Sequence, residues 1–410
     1  MNQPNASDLS NTKEVKLPGR DWILLPMISL LTICLTAVST ELIARRIFPN
    51  RETGKHSCQV TNDRSTGVRG IPNTACWGGL PEGEPVEYIF NSCGHRAGME
   101  CRPKSQATYR IVMVGSSLGM GLGVPEEQTF GALLPKELSR RTGNKVELYN
   151  ESCTWEVPHI VDMRFNEVLV AKPDMILWVI TSWDIENASL VLPDDYSSQV
   201  VEKNPSAPNE PAGVAARFWH RINSVFDARS LRDAIRDRSN QAQTIILLRH
   251  YLWQSQSLYM QDSLRGLGAN YLMAEPSAQW QSHLHQFDSY AAEIESKARA
   301  EGVPLVAVLI PERPHAAMIS TREWPAGFDP YKMDNELRTI VVNHGGTYID
   351  ILPDYRNIPN PAQGYLPVDG HPNAEGHAMI SRMLAEELTN GAIPALRVTA
   401  QPQVVQESGR

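Results

Sequence analysis

From Trp22 to Thr40 the chain carries no charged side chain (WILLPMISLLTICLTAVST), and this run constrains it more than any other feature. About 20 apolar residues in a helix match the hydrocarbon core of a bilayer. Residues 22–43 are therefore expected to form a transmembrane anchor behind a short N-terminal tail, residues 1–21. A cleaved signal peptide is the alternative, with Ala37-Val38-Ser39 as a small-residue site, but the run is longer than the usual apolar region of such peptides. Lys13, Lys16 and Arg20 precede the run and Arg45, Arg46, Arg51 and Lys55 follow it, which by charge alone weakly favours a cytoplasmic C-terminal side.

The cysteines argue for the opposite side. Cys34 lies within the span, whereas Cys58, Cys76, Cys93, Cys101 and Cys153 follow it, a usage that suits an oxidising compartment. Long C-terminal domains also cross membranes largely regardless of flanking charge. The expectation is a single-pass membrane protein with an extracytoplasmic, periplasmic-type C-terminal domain. Nearness in sequence suggests Cys58–Cys76 and Cys93–Cys101 as disulfides, with one cysteine left over; connectivity stays open at this level. No C-x-x-C pair occurs and histidines do not cluster near the cysteines, so no metal is expected. The net charge is −8, the pI is 5.8 and no long basic run exists, which excludes the electrostatic footprint of a nucleic-acid binder.

Residues 44–102 are rich in Gly, Pro, Asn and Cys and read as an irregular stalk or collar. Beyond them, apolar runs alternate with helical periodicity. Tyr109–Gly115, Lys145–Tyr149, Asp174–Thr181, Pro304–Ile310 and Thr347–Ile351 are candidate strands. Glu126–Arg141, Val161–Ala171, Ser289–Glu301 and Lys332–Asn343 are candidate helices. That alternation predicts an α/β domain, residues 103–391, with a parallel sheet flanked by helices. A helical insertion at about 187–280 breaks the rhythm. Its run TIILLRHYLW is too short for a second span and is interrupted by Arg249 and His250, so a buried helix is expected. Residues 392–410 read as a disordered tail.

In an open parallel sheet, ligands bind beyond the carboxyl ends of the strands. The loop at the end of the first candidate strand is Gly115-Ser116-Ser117-Leu118-Gly119, which sets two hydroxyls among glycines. It lacks both the G-K-[ST] ending of a phosphate-binding loop and the spacing of a dinucleotide fingerprint, and no cofactor is expected. After the last candidate strand comes Asp369-Gly370-His371-Pro372-Asn373-Ala374-Glu375-Gly376-His377. A serine nucleophile needs a base, usually an imidazole, and a carboxylate beside that imidazole fixes its tautomer. Ser117, His371 and Asp369 fit those roles.

These two segments, in this order, resemble the SGNH (GDSL-like) hydrolases over about Tyr109–Leu190 and Val303–Leu388. The resemblance implies a flavodoxin-like three-layer α/β/α sandwich and hydrolysis or transfer of ester-linked acyl groups. Gly115 and Ser117 match the first block of the family, while Ser116 stands where the family has aspartate. Ser152 stands at the glycine whose N–H helps form the oxyanion hole, and Trp183-Asp184 stands where the family has Asn-Asp. Ser152 and Trp183 are thus the oxyanion-hole candidates, with Asn150 or Asn187 as substitutes. The Asp-x-His spacing is one residue shorter than in many members.

Other residues receive plainer readings. His377 is expected to cap or pack, and Cys153 to be buried or disulfide-bonded. Asp162 and Asp184 read as surface and loop carboxylates. Trp253, Tyr259 and Trp280 are expected in the core, with an acyl or carbohydrate groove as the alternative. The function expected from all this is a serine esterase or deacetylase acting on ester-linked acyl groups of envelope glycans or lipids. An O-acyltransferase to an envelope glycan, or a non-catalytic glycan- or partner-binding protein, are the alternatives.

Overall fold

The structure is a computed structural model that describes residues 18–47, 58–63, 67–80, 82–190, 242–264 and 267–398. The first tail up to residue 17, most of the insertion (191–241) and residues 399–410 lie outside the described residues.

The apolar run is one helix, α1 (Asp21–Ile47), long and apolar enough to cross a membrane, and none of its apolar window is buried among the described residues. The collar then folds into two antiparallel hairpins, β1 (Gln59–Asp63) with β2 (Gly67–Gly70) and β3 (Thr74–Gly78) with β4 (Val86–Phe90). The Cys58–Cys76 disulfide joins the hairpins, and Cys93–Cys101 closes the loop behind them. In β4, VEYIF alternates between buried and exposed positions, the period-two pattern of a strand with one face on a core. That pattern, hidden among turn-forming residues, is why an irregular collar was the expectation.

The main domain has five strands: β5 (Thr108–Val114), β6 (Lys145–Asn150), β7 (Met175–Ile180), β8 (Leu305–Leu309) and β9 (Thr347–Ile349). They pair in the order β6-β5-β7-β8-β9, all parallel, which is the flavodoxin-like order 2-1-3-4-5. β7 (MILWVI) and β8 (LVAVL) are buried at every position, as continuous β-branched runs between two helical layers must be.

After β5 come the short α2 (Ser117–Met120) and then α3 (Phe130–Thr142). α4 (Pro158–Val170) leads into β7, and the short α5 (Ser182–Glu186) leaves it. The described part of the insertion contains α6 (Gln243–Leu252) and α7 (Gln256–Ser263). α8 (Ala278–Ala300) precedes β8, which is followed by α9 (Arg313–Thr321) and α10 (Lys332–Asn343). α11 (Ala374–Glu387) follows the acid–histidine segment. α3 and α11 pack together as one layer, and α8 packs on α4 and α10 in the other. Two details differ from expectation. α6 is not buried, because Leu248, Tyr251 and Leu252 face outward. Ile393 and Leu396, expected in the tail, are buried in the main core.

Candidate active site

The site lies where strand order reverses, between β5 and β7. Beyond Val114 the chain must turn beside β7. Gly115 has φ +151°, and a Cβ there would come within 2.6 Å of the Val179 carbonyl oxygen, so glycine is required. Ser116 then stands at the N-cap position of α2 without a side-chain cap hydrogen bond, and Ser117 is the helix's first residue. The turn is held from two sides. Behind it, Asn150 at the end of β6 donates Nδ2 to the Gly119 carbonyl (3.0 Å). In front, the buried Arg96 of the collar donates to the carbonyls of Met120 (2.8 Å), Gly121 (2.7 Å) and Val124 (2.6 Å). The Arg96 guanidinium also lies over the Tyr88 ring (4.5 Å), and Tyr88 Oη accepts from Gly123 N–H (2.8 Å).

His371 arrives on a tight loop in which Leu366 N–H donates to His371 O (2.8 Å) and Gly370 N–H to Leu366 O (3.1 Å). Asn373 accepts from Gly376 N–H (3.1 Å) and starts α11. A Cβ on Gly376 would fall 2.0 Å from Gly364 O, which explains that glycine. Glu82, in the β3–β4 connection of the collar, grips the loop from outside: its Oε1 accepts from Val368 N–H (2.7 Å) and Asp369 N–H (2.8 Å). His250 Nδ1 of α6 lies 2.9 Å from Glu82 Oε2.

Ser117 Oγ lies 2.8 Å from His371 Nε2, and His371 Nδ1 lies 2.5 Å from Asp369 Oδ1. An ionised carboxylate only accepts, so the imidazole proton sits on Nδ1 and Nε2 is left to accept from the serine hydroxyl. His377, one helical turn on, is buried and plays another part. Its Nδ1 accepts from Phe130 N–H (3.2 Å) at the start of α3, its ring stacks on Phe130, and burial pushes its pKa down to about 3.

Ser117 and His371 open into a cavity of about 360 Å³. Trp155 and Trp183 form one side of it, edge to face with ring centres 5.4 Å apart. Tyr259 of α7, stacked under Arg313 at 3.8 Å, is another wall residue. Trp155 has φ +71°, a left-handed conformation that bulky residues rarely adopt. The loop bearing it is braced by the buried Arg164, which bonds Glu151 (2.7 Å) and Glu156 (3.1 Å), while Glu156 accepts from Cys153 N–H (2.8 Å).

Two further carboxyls do not join the Ser–His–Asp chain: Glu312 lines the cavity, whereas Asp184 is buried beside the lining residue Thr181. Asp184 is buried as the third residue of a capping box, accepting from Thr181 N–H (2.8 Å) and Thr181 Oγ1 (2.8 Å). Burial raises its pKa to about 7 against the opposing effect of the Ser116 and Thr181 hydrogen bonds. It is thus a buried cap and not the loop carboxylate expected. Glu312, at the N-cap of α9, accepts from Ser182 Oγ; burial raises its pKa against the opposing effect of that hydrogen bond.

The structure therefore brings Ser117, His371 and Asp369 together and sets Trp183 in the same cavity. Asn150 and Ser152 lie behind the nucleophile turn. Ser152 N–H donates to Asn150 Oδ1 (3.1 Å), and its hydroxyl faces Gly119. Cys153 is a buried free thiol whose pKa is pushed up by burial, and Asp162 pairs with Lys297 at the surface (2.7 Å). Trp280 is in the core, Tyr259 is at the cavity, and Trp253 packs against Tyr259. Glu82, Arg96, Glu312 and Arg313 were not anticipated. The last two had a readable signal, since Ile-Pro-Glu-Arg-Pro-His at 310–315 leaves β8 at the carboxyl edge of the sheet. Among the described residues, no cluster of three or more His, Cys, Asp or Glu is placed to hold a metal ion.

No family model and no curated protein matches the chain. Among solved structures, one titled "Crystal Structure of TesA" is similar, with 14% identity over 68% of this chain and 98% of that chain and a TM-score of 0.36. A likeness this loose adds nothing to the geometry. Fold and site on their own define a class, a three-layer α/β protein with a Ser–His–Asp hydrogen-bond chain at the carboxyl edge of its sheet.

Proposed function

We propose that the chain is a membrane-anchored serine esterase or deacetylase of the SGNH type, acting on ester-linked acyl groups of envelope glycans or lipids outside the cytoplasm. The observation that carries this reading is the continuous chain Ser117 Oγ–His371 Nε2–Asp369 at 2.8 and 2.5 Å, open to a cavity large enough for an acyl group. The helix α1 and the two disulfides support the location.

In this mechanism His371 Nε2 takes the Ser117 proton as Oγ attacks the ester carbonyl carbon. Asp369 holds the Nδ1 proton and stabilises the imidazolium that forms. The carbonyl electrons move onto oxygen, where Ser117 N–H and the Trp183 indole are the proposed donors. Ser152 N–H, already donated to Asn150, is left out of that set. The His371 proton passes to the departing alcohol, and water attacks the acyl-serine by the reverse relay.

Hydrolysis of a soluble acetyl ester by the full chain in detergent tests this. Ser117→Ala and His371→Ala are each expected to lower turnover by on the order of 10⁶-fold. Undiminished hydrolysis by Ser117→Ala would remove the assignment.

A further inference from the structure

The helices α6 and α7 connect the site to α1. Glu41, on α1 just beyond the uncharged run, accepts from Gln243 N–H (3.2 Å) and Thr244 N–H (3.0 Å), so it satisfies the first turn of α6. The two helices pack together at this point. At its other end, α6 belongs to the site. His250 meets Glu82, which holds the Asp369 loop. The Trp253 carbonyl accepts from Arg313, and the Trp253 ring packs on Tyr259 in the cavity wall. The inner side of this helical pair is thereby occupied.

Among the described residues, its outer side is apolar and uncovered. Leu248, Tyr251 and Leu252 are 52, 63 and 47% exposed and stand at i, i+3 and i+4 on α6. That spacing sets them on one helical face. Leu258 on α7 is 46% exposed, and Ile47, at the end of α1, is 53% exposed. This apolar face belongs to a helix whose first turn is held by Glu41 of a membrane-length helix, and it carries a tyrosine, a residue enriched at the level of lipid headgroups. A helix that leaves apolar residues exposed along one side, beside such a span, fits an interfacial position.

We infer that α6 and α7 rest on the bilayer surface beside α1 and that the cavity thereby receives acyl esters of membrane-embedded molecules. The occupant of the apolar face is the lipid surface itself. The substrate half of the inference rests on the esterase reading above; the docking half rests only on α1 as an anchor.

The test uses the full chain in phosphatidylcholine vesicles, with Cys34→Ala and an environment-sensitive fluorophore on Leu252→Cys or, as a control on α10, on Val342→Cys, whose native side chain is 54% exposed. Nitroxide-bearing lipids are expected to quench the Leu252 position several-fold more than the Val342 position. Equal quenching at both positions, or a shielded Leu252 probe that lipid nitroxides do not quench, overturns the docking. The second arm compares the Leu248→Glu/Leu252→Glu variant with the parent on two substrates. Hydrolysis of a long-chain ester embedded in vesicles is expected to fall at least tenfold, with a soluble acetyl ester hydrolysed at the parental rate. Equal retention of both activities overturns the substrate half. An inert Ser117 would defeat the esterase reading and leave the quenching result standing.

Discussion

The five-stranded sheet and the disulfide-stapled collar are held together by different forces. The sheet is a hydrophobic object: β5, β7 and β8 are almost wholly buried, and Trp178 of β7 stacks on Phe287 of α8 with ring centres 5.2 Å apart. The collar has a small core, Leu80, Val86, Tyr88 and Phe90 with Met120 and Leu122 of the nucleophile turn, and supplements it with two covalent links. Yet Arg96, Tyr88 and Glu82 of the collar are the side chains that tie down both loops of the site. The sheet decides where chemistry can occur, and the collar holds Ser117 and His371 at hydrogen-bond distance.

The largest effect should come from the sheet. Trp178→Ala is expected to cost about 3–5 kcal/mol of global stability, measured by urea unfolding of the full chain in detergent; a loss under 1 kcal/mol would mean that the sheet is not the stability reservoir described. Next, Cys58→Ser/Cys76→Ser is expected to cost about 3 kcal/mol. Its signature separates the two regions: ester hydrolysis should be lost at lower urea than the far-ultraviolet signal of the sheet. Coincident loss of both would show that collar and sheet unfold as one unit.

A smaller effect isolates the grip on the base. Glu82→Ala removes the acceptor for two backbone N–H groups and is expected to slow hydrolysis about 10–30-fold. Glu82→Gln, whose carbonyl oxygen still accepts, should restore most of the rate. If glutamine fails as badly as alanine, Glu82 acts through its charge and not by positioning the loop.

A pH-dependent effect concerns Asp184 at the sheet edge. Its folded pKa of about 7 lies above the ordinary carboxylate value. The stability linked to this raised pKa is complete below about pH 4 and is lost as pH rises to about 7, by at most about 1.4 kcal/mol per unit. Asp184→Asn should flatten that slope in unfolding measured at pH 4, 5.5 and 7, and parallel curves for the two proteins would contradict the assignment.

Much of the sheet was legible because a strand buried on both faces must be a continuous apolar run, as DMILWVIT and PLVAVLI are. Ser117 stood out because glycines mark a turn at the end of β5, and His371 and Asp369 because an acid–histidine pair directly before the cap of α11 resembles a hydrolase motif. The hairpins were not, since their alternation is only five residues long and sits among Gly, Pro and Cys. Nor was Glu82: one of two carboxylates in GGLPEGEP, it carries no periodic signal, and its partners lie nearly 290 residues away. The outward face of α6 was missed for a different reason. Its apolar residues surround the helix, and sequence alone cannot say which side meets protein and which meets its surroundings.

The central claim is that Ser117 is an activated nucleophile, and its reaction with a fluorophosphonate tests it most directly, because an ordinary serine is inert to this electrophile. The account predicts stoichiometric labelling of the full chain, mapped to Ser117 and abolished by His371→Ala. A folded protein that takes up no label, or takes it up equally well without His371, would contradict it.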